Sequence, residues 1–413
     1  MRILYVSQYF PPEMGAPAAR VYELSRRWGK AGHKVTVLTG FPNHPTGSIP
    51  EAYRKLFRRG TVTEELDGMR VVRTWLYPTP NRFPLERIVN YTSFFVSASL
   101  RGMVLSRPDV VIATSPQLLV GLAGWWLARR FRRPFVFEVR DLWPESLPAS
   151  GIGRPGSVLY RVLDSLANFL YRSADKIVVL TEAFREHLVL RKRADHGKVA
   201  VIENGVEPEL FRPMDGTQVI RDSLGLAGRF VISYIGTLGF AHNLQTALRA
   251  AAILRDRLPE ALFVFVGDGA EKERLKKEVR LAGLENIKFF GQQPRELIPQ
   301  FIGASDVCLV LLRKDGLFET VLPSKMLEFM ACGRPVLIGV DGLARKIVEE
   351  SNSGLFVKPE DPLDLAEAVL RLYRDPEARH RYGENGRRWV EARFTREAKA
   401  RGYLEVLEGL VYR

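Results

Sequence analysis

"VCLVLLRKDGLFETVLPSKMLEFMACGRPVLIGV", residues 307–340, reads as strand, loop, helix and strand in a single unit. "VCLVLL" (307–312) and "PVLIGV" (335–340) are short, continuous apolar runs, the pattern of strands covered on both faces. Between them Pro323 and Ser324 favour a helix start, and Gly333 with Pro335 favours a stop. A helix of about ten residues fits that window. One residue stands out. Glu328 lies among Met326, Leu327, Phe329 and Met330, and a carboxylate is costly to bury without a partner. Lys325, three residues earlier, shares its helix face, so a surface Lys–Glu pair is the plainest account until the rest of the chain is read.

The same alternation runs outward in both directions. Towards the N-terminus the strand candidates are 2–7, 34–40, 69–75, 109–115, 134–141 and 176–181; around the opening stretch they are 230–236, 262–269, 287–291, 307–312, 335–340 and 354–358. Continuous apolar strands separated by helices indicate parallel sheets, and two such series predict two doubly wound α/β domains. The chain of 413 residues is also too long for one ordinary core. The Gly- and Pro-bearing connection "VIENGVEPELFRP" (201–213) marks the break. The expected domains are 1–203, 204–376 and a C-terminal helical segment, 377–413, packing back on the first. Cys308 and Cys332 both sit in apolar runs and fit a reducing cytoplasm. The N-terminus enters a strand-like run without a signal-peptide layout, and the longest apolar run, 118–128, is too short to span a bilayer.

In such sheets ligands bind beyond the carboxyl ends of the strands, so the loops there carry the chemistry. After the first strand Gly15 precedes a helix, where backbone amides can meet an anion. After the seventh come Gly236, Thr237, Gly239, His242 and Asn243, and after the eighth Gly267 and Gly269. Each glycine loop taken singly reads more readily as a tight turn, and there is no GxGxxG for a nicotinamide cofactor.

Taken together, "GTLGFAHNLQTALRAA", "FVGDGAEKERL", "FFGQQPRELIPQFIGASDVCLVLL" and "PSKMLEFMACGRPV" resemble the nucleotide-binding domain of the family-4 retaining glycosyltransferases, whose GT-B fold sets two Rossmann-like domains across a central cleft. "FPNHPTG" (41–47) and "FEVRDLWPESL" (137–147) resemble the bacterial branch that builds surface polysaccharides, near the L-fucosamine transferases. The resemblance implies that Glu328 accepts hydrogen bonds from the donor ribose. It implies that the helix start at Leu322, Pro323 and Ser324 faces the diphosphate, and that Gly15, Gly236, Thr237, His242 and Gly267 line the donor site. Two departures stand out. The family's paired E-x7-E has Thr320 at its first position, with Glu319 one residue off, and the Arg and Lys expected after the seventh strand are Thr237 and His242. Lys325 is then the nearest cation for the diphosphate, with His242 contributing if protonated.

In the first domain Arg140 and Asp141 follow the fifth strand and are candidates to hold an anionic acceptor and orient a hydroxyl, a structural Arg–Asp pair being the rival. His44 follows the second strand and is a candidate for the acceptor mouth. No Asp-x-Asp is present to hold a divalent metal, so no metal or cofactor beyond the nucleotide-sugar co-substrate is expected. Residues 1–200 hold 30 Lys/Arg against 16 Asp/Glu, while 201–413 hold 31 of each, so the whole excess of +14 lies in the first half. With "GWWLARRFRRP" (124–134) and residues 83–107 interleaving aromatic, aliphatic and arginine side chains, an anionic membrane surface is the expected partner. An amphipathic packing helix with a solvated basic end is the rival for 124–134. No nucleic-acid-binding motif is visible. The expectation is a metal-independent, retaining transferase at the cytoplasmic face of the membrane. It would move an N-acetylated or deoxy hexose, from UDP ahead of GDP, to a lipid-linked acceptor. A nucleotide-sugar epimerase on the same fold and a non-enzymatic basic membrane-binding protein are the alternatives.

Overall fold

A computed structural model describes residues 1–44, 46–80, 84–149, 156–214 and 216–412; Pro45 of the "FPNHPTG" stretch and Phe83 of the 83–107 stretch lie outside them. The chain forms two units: Met1–Pro148, Ile152–Glu203 and Arg396–Arg413 in the first, Ala149–Gly151 and Asn204–Thr395 in the second.

The first unit is built on strands β1 (Arg2–Val6), β2 (Lys34–Gly40), β3 (Thr61–Leu66), β4 (Met69–Thr74), β5 (Val110–Thr114), β6 (Phe135–Val139), β7 (Lys176–Val179) and β8 (Val199–Val201). They lie in the order β3-β4-β2-β1-β5-β6-β7-β8. The pairings are parallel except β3 with β4, where Asp67 and Gly68, at φ 49° and 77°, form a two-residue hairpin turn. β5 and β6 are buried at every position, as strands covered on both faces must be.

The second unit holds β9 (Phe230–Ile235), β10 (Ala261–Val266), β11 (Ile287–Phe290), β12 (Val307–Leu311), β13 (Val336–Gly339) and β14 (Gly354–Phe356), in the order β11-β10-β9-β12-β13-β14 with every pairing parallel. This is the doubly wound order 3-2-1-4-5-6, and its reversal point lies between β9 and β12, where such sheets bind ligands. Each expected strand forms; β3 and β8 are additions.

The C-terminal segment divides differently from the expected 377–413. The helix Pro376–Arg393 belongs to the second unit, because Gly383 lies so close to Gly333 that a Cβ there would come within 2.1 Å of its carbonyl oxygen. Val390 is fully buried in the same core. Only the last helix, Arg396–Val411, joins the first unit. There Trp28 Nε1 donates to the Ala400 carbonyl at 3.0 Å, Trp28 and Tyr403 stack edge to face at 5.2 Å, and Arg396 pairs with buried Glu23 at 2.5 Å.

Candidate functional site

The reversal point of the second sheet gathers most of the residues singled out in that half. Tyr234 near the end of β9 is fully buried; its hydroxyl donates to the Thr237 carbonyl at 2.8 Å and accepts from Lys325 Nζ at 2.7 Å. The chain then turns at Gly236, φ +143°, where a Cβ would stand 2.8 Å from Lys325 Nζ. Only glycine leaves that space open. Gly267, φ +141°, sits behind it, since a Cβ there would come within 2.0 Å of the Gly236 carbonyl oxygen. Gly236 therefore faces Lys325, and Gly267 supports Gly236.

Lys325 lies in the first turn of the helix Ser324–Ala331, which has no side-chain cap at Pro323. The first amides of a helix lack intrahelical acceptors and face outward as a partial positive charge. Loss of solvation pushes the Lys325 ammonium down to about 7, against the opposing pull of Glu328. Glu328, one turn on and half-buried, accepts from Arg295 Nη1 at 3.2 Å, and Arg295 lies 5.0 Å over the Phe211 ring. The apolar helix thus carries a carboxylate because an arginine from the loop after β11 answers it, while Lys325 turns to Tyr234.

His242 closes the loop after β9, its Nδ1 lying 3.4 Å from the Leu311 carbonyl. A carbonyl only accepts, so Nδ1 carries the hydrogen and Nε2 is left as an acceptor. Burial, then the charge of Lys325, pushes the imidazole down to about 3. From sequence His242 contributes charge only if protonated, and that condition is not met: burial first, then the charge of Lys325, keeps it neutral at physiological pH. A cation that sequence reading missed lies next to it. Arg313, just past β12, donates its backbone N–H to the Ala241 carbonyl at 2.9 Å, and its guanidinium stands 4.2 Å from the centre of the exposed Phe240 ring. Leu322 is buried ahead of the helix, and Thr320 turns its hydroxyl to the Leu317 carbonyl at 2.6 Å. Exposed Glu319 instead lines, with Arg313 and Asp341, a cavity of about 600 Å³.

Tyr234 and Arg313 had no motif to mark them, and Arg295, though inside the quoted "FFGQQPRELIPQ", was given no role there. The one available signal was position, since Arg295 and Arg313 follow strands β11 and β12. Cys308 and Cys332 are free, buried thiols, and burial raises both above their usual range.

In the first unit Gly15 precedes the helix Ala16–Lys30 at φ +140°, where a Cβ would stand 3.7 Å from Pro17 Cδ, an ordinary contact. Glu13, buried two residues earlier, is another residue the sequence reading missed. Its Oε1 accepts from the backbone N–H of Asn43 and of His44, each at 2.9 Å. It ties the loop after β1 to the loop after β2, and burial, opposed by those amides, pushes it up to about 7. The exposed His44 ring lies 5.4 Å from that of Tyr9. Arg140 is buried and donates to the Pro17 carbonyl at 3.0 Å, whereas Asp141 is exposed. Among the described residues no direct ion pair joins the two, although the charge of each acts on the other, so the structural Arg–Asp pair stands as the rival. No cluster of His, Cys, Asp and Glu suited to a metal occurs among the described residues, and no helix there is long and apolar enough to cross a membrane.

Residues 15–205 match the family profile described as "Glycosyl transferase 4-like domain", and residues 217–389 match "Glycosyl transferases group 1". The chain is 29% identical to "Probable glycosyltransferase WbjE" of Pseudomonas aeruginosa over 66% of each protein. It is 27% identical to "Putative colanic acid biosynthesis glycosyl transferase WcaI" of Escherichia coli K12, over 82% of this chain and 83% of that one. Anabaena Alr3699/HepE in complex with UDP-glucose superposes with a TM-score of 0.75 at 19% identity, over 99% of this chain and all of that one, which speaks for the fold.

Proposed function

The chain is a glycosyltransferase of the GT-B type, and we propose that it transfers a sugar from a nucleotide-diphosphate donor to a lipid-linked acceptor in surface-polysaccharide synthesis. The observation that carries this is the arrangement at the reversal point of the second sheet. Lys325 Nζ, held 2.7 Å from the Tyr234 hydroxyl, lies beneath Gly236 in the first turn of an uncapped helix, with Glu328 one turn along. That array suits a diphosphate flanked by a ribose. The colanic acid biosynthesis in WcaI's name supports a polysaccharide setting, and the UDP-glucose bound to HepE supports a UDP-sugar over a GDP-sugar.

In this reading Glu328 accepts from the ribose hydroxyls while Arg295 holds its other side. Lys325, the helix amides and Arg313 meet charge as it develops on the leaving diphosphate. His242 Nε2, an acceptor, faces donor hydroxyls rather than phosphate. The acceptor oxygen bonds to the anomeric carbon on the face from which the phosphate departs. The C1–O bond breaks, the acceptor proton passes to the leaving phosphate, and the products are a glycoside of retained configuration and the nucleoside diphosphate. Asp141, exposed beyond β6, orients the acceptor hydroxyl, and His44 lines the acceptor mouth. Arg140 acts on Asp141 through its charge. The charge is met without a divalent metal, so EDTA leaves turnover intact. The lipid-linked acceptor places the chain peripherally on the cytoplasmic face of an anionic membrane, and the branch near the L-fucosamine transferases makes the sugar an N-acetylated or deoxy hexose.

A nucleotide-sugar panel read by thermal shift tests the donor, since a specific ligand raises the melting temperature. Proton NMR of the product then reads the anomeric configuration. An inverted product would overturn the mechanism, and conversion of donor with no acceptor present would make the chain an epimerase.

A further inference from the structure

The helix Pro84–Gly102 of the first unit presents a row of apolar side chains that the fold leaves uncovered. Leu85, Ile88, Val89, Val96 and Leu100, with Val104 just beyond the helix end, are 39–70% exposed. Their spacing puts the helical ones on one face. The opposite face does the packing: Asn90, Phe94 and Ala98 are fully buried, and Gly102 presses so closely on Leu127 that a Cβ would come within 2.5 Å of its methyl group. The exposed row is therefore not needed to hold the helix in place.

With Trp75 beside it the row encloses an open groove of about 610 Å³. Of the three hydroxyls lining the groove, those of Ser93 and Ser97 are turned to the protein, and that of Thr92 is exposed. Ser93 Oγ donates to the Asn90 carbonyl and accepts from the Tyr77 N–H, both at 2.8 Å, and Ser97 Oγ donates to the Trp75 carbonyl. The groove consequently presents hydrocarbon and offers few polar groups to a partner. An uncovered apolar surface of this kind is uncommon on a soluble chain and marks an interaction site.

Arginines lie at its C-terminal end; Arg87 and Arg101 of the same helix fall, by its spacing, on the packing side and are not part of the row. Arg107 Nε donates to the Phe131 carbonyl at 3.1 Å, which brings it to the end of the helix Leu118–Phe131, where Arg129, Arg130 and Arg132 are exposed.

We propose that this face lies in the headgroup boundary of an anionic bilayer, with the apolar row toward the acyl chains and the arginines on the lipid phosphates. The proposal rests on the reading of a lipid-linked acceptor and names the surface that meets its membrane. A second copy of the chain fits less well, because a two-fold contact would set the same arginines against each other. A peptide partner would need hydrogen-bonding groups that the groove, Thr92 apart, has already used. A bilayer needs only hydrocarbon contact and positive charge. The structure also moves the docking stretch within the first half. The helix Leu118–Phe131, containing "GWWLARRF", is a packing helix: Trp125 lies edge to face on Phe169 at 5.0 Å, and Gly121 and Gly124 lie against Phe137 and Ala113. Of that helix Trp126, Arg129 and Arg130 face outward.

The test is sedimentation of the full chain with phosphatidylcholine vesicles, with and without phosphatidylglycerol. Wild type pellets only with the anionic vesicles. The triple variant Ile88→Asp, Val96→Asp, Leu100→Asp lowers that partition on the order of tenfold or more even at low salt. Arg129→Gln, Arg130→Gln, Arg132→Gln lowers it too and flattens its salt dependence. Thermal stabilisation by UDP-glucose, read on the same samples, reports folding and the donor site. Stabilisation kept while vesicle binding is lost supports the docking face. Equal pelleting of the triple variant, or no pelleting of wild type, overturns it. So does a wild-type dimer in the ultracentrifuge that the triple variant converts to monomer, which gives the face to a second copy. Wild type that pellets yet is stabilised by no nucleotide sugar overturns the donor reading and leaves the docking face standing.

Discussion

The two sheets share the parallel core order 3-2-1-4-5-6, to which the first adds β3 and β8, yet their buried charges are handled in opposite ways. In the first unit Glu138 on β6 is buried with Arg20 and Tyr5. Arg20 Nε donates to one carboxylate oxygen at 2.6 Å, the Tyr5 hydroxyl donates to the other, and the remaining Arg20 nitrogens reach the carbonyls of Ile202 and Glu203 at 2.9 and 3.0 Å. Burial alone would raise the Glu138 carboxyl; the guanidiniums of Arg20 and Arg140 hold it below its usual range. The cluster answers its own charge. In the second unit Lys325 has a neutral phenol as its hydrogen-bond partner, and its ammonium is driven down to about 7. A closed cluster holds a fold together, whereas a cation hydrogen-bonded to a phenol, with Glu328 acting on it only through its charge, is poised for an anion from outside. Topology supplies the crevice in both units, and the partners of the buried charge decide what each does.

The comparison can be broken from either side. Removing the charge of Glu138 leaves Arg20 buried without its carboxylate, so Glu138→Gln should lower unfolding stability in urea by about 3–5 kcal/mol. Stabilisation of the surviving folded protein by UDP-glucose should be unchanged. Lys325→Met should do the reverse, leaving stability equal or higher while turnover falls about 10²–10³-fold, as when one donor to a developing oxyanion is lost. If Lys325→Met unfolds the protein as Glu138→Gln does, the two charges are alike and the distinction fails. Glu328→Ala comes next, with donor affinity weakened by about 2–3 kcal/mol through loss of charge-assisted hydrogen bonds. Calorimetric titration of UDP-glucose checks it, and wild-type affinity in that variant would sink the ribose role.

The frame of both sheets was legible because buried parallel strands are continuous apolar runs. β3 escaped because it is a half-exposed antiparallel edge, although Asp67-Gly68 between alternating residues is a hairpin signal. The division at Arg396 escaped because both last helices are rich in charged residues, and nothing in Pro376–Arg393 tells that Gly383 and Gly386 are its contact face. Lys325 and Glu328 could be read from their place after a strand and from the helix signals around them. Their partners could not. Tyr234 looks like any core aromatic in "FVISYIG", and Arg295 and Arg313 are two among many arginines. "GWWLARRF" left two readings open for the same reason, since an apolar run with a basic end describes a packing helix as well as a membrane-facing one.

The smallest effect expected is also the most direct reading of the open charge. A diphosphate bound beside Lys325 raises its ammonium above the value of about 7 it has in the empty site. Its share of the binding energy is therefore fully present below about pH 7 and is lost as pH rises through the higher, bound-state value. Donor affinity should fall by at most about tenfold per pH unit across that window. UDP-glucose is the ligand to use, because free UDP has a terminal phosphate that itself titrates near pH 6, as phosphomonoesters do at about that value. His242, already neutral well above its value of about 3, contributes no slope there. Calorimetry in two buffers of different ionisation enthalpy counts the protons taken up on binding. Wild type should take up a fraction of a proton near pH 8, Lys325→Met none, and His242→Gln the wild-type amount. Uptake that survives Lys325→Met assigns the proton to another group, and Lys325 would then be as closed a charge as Glu138.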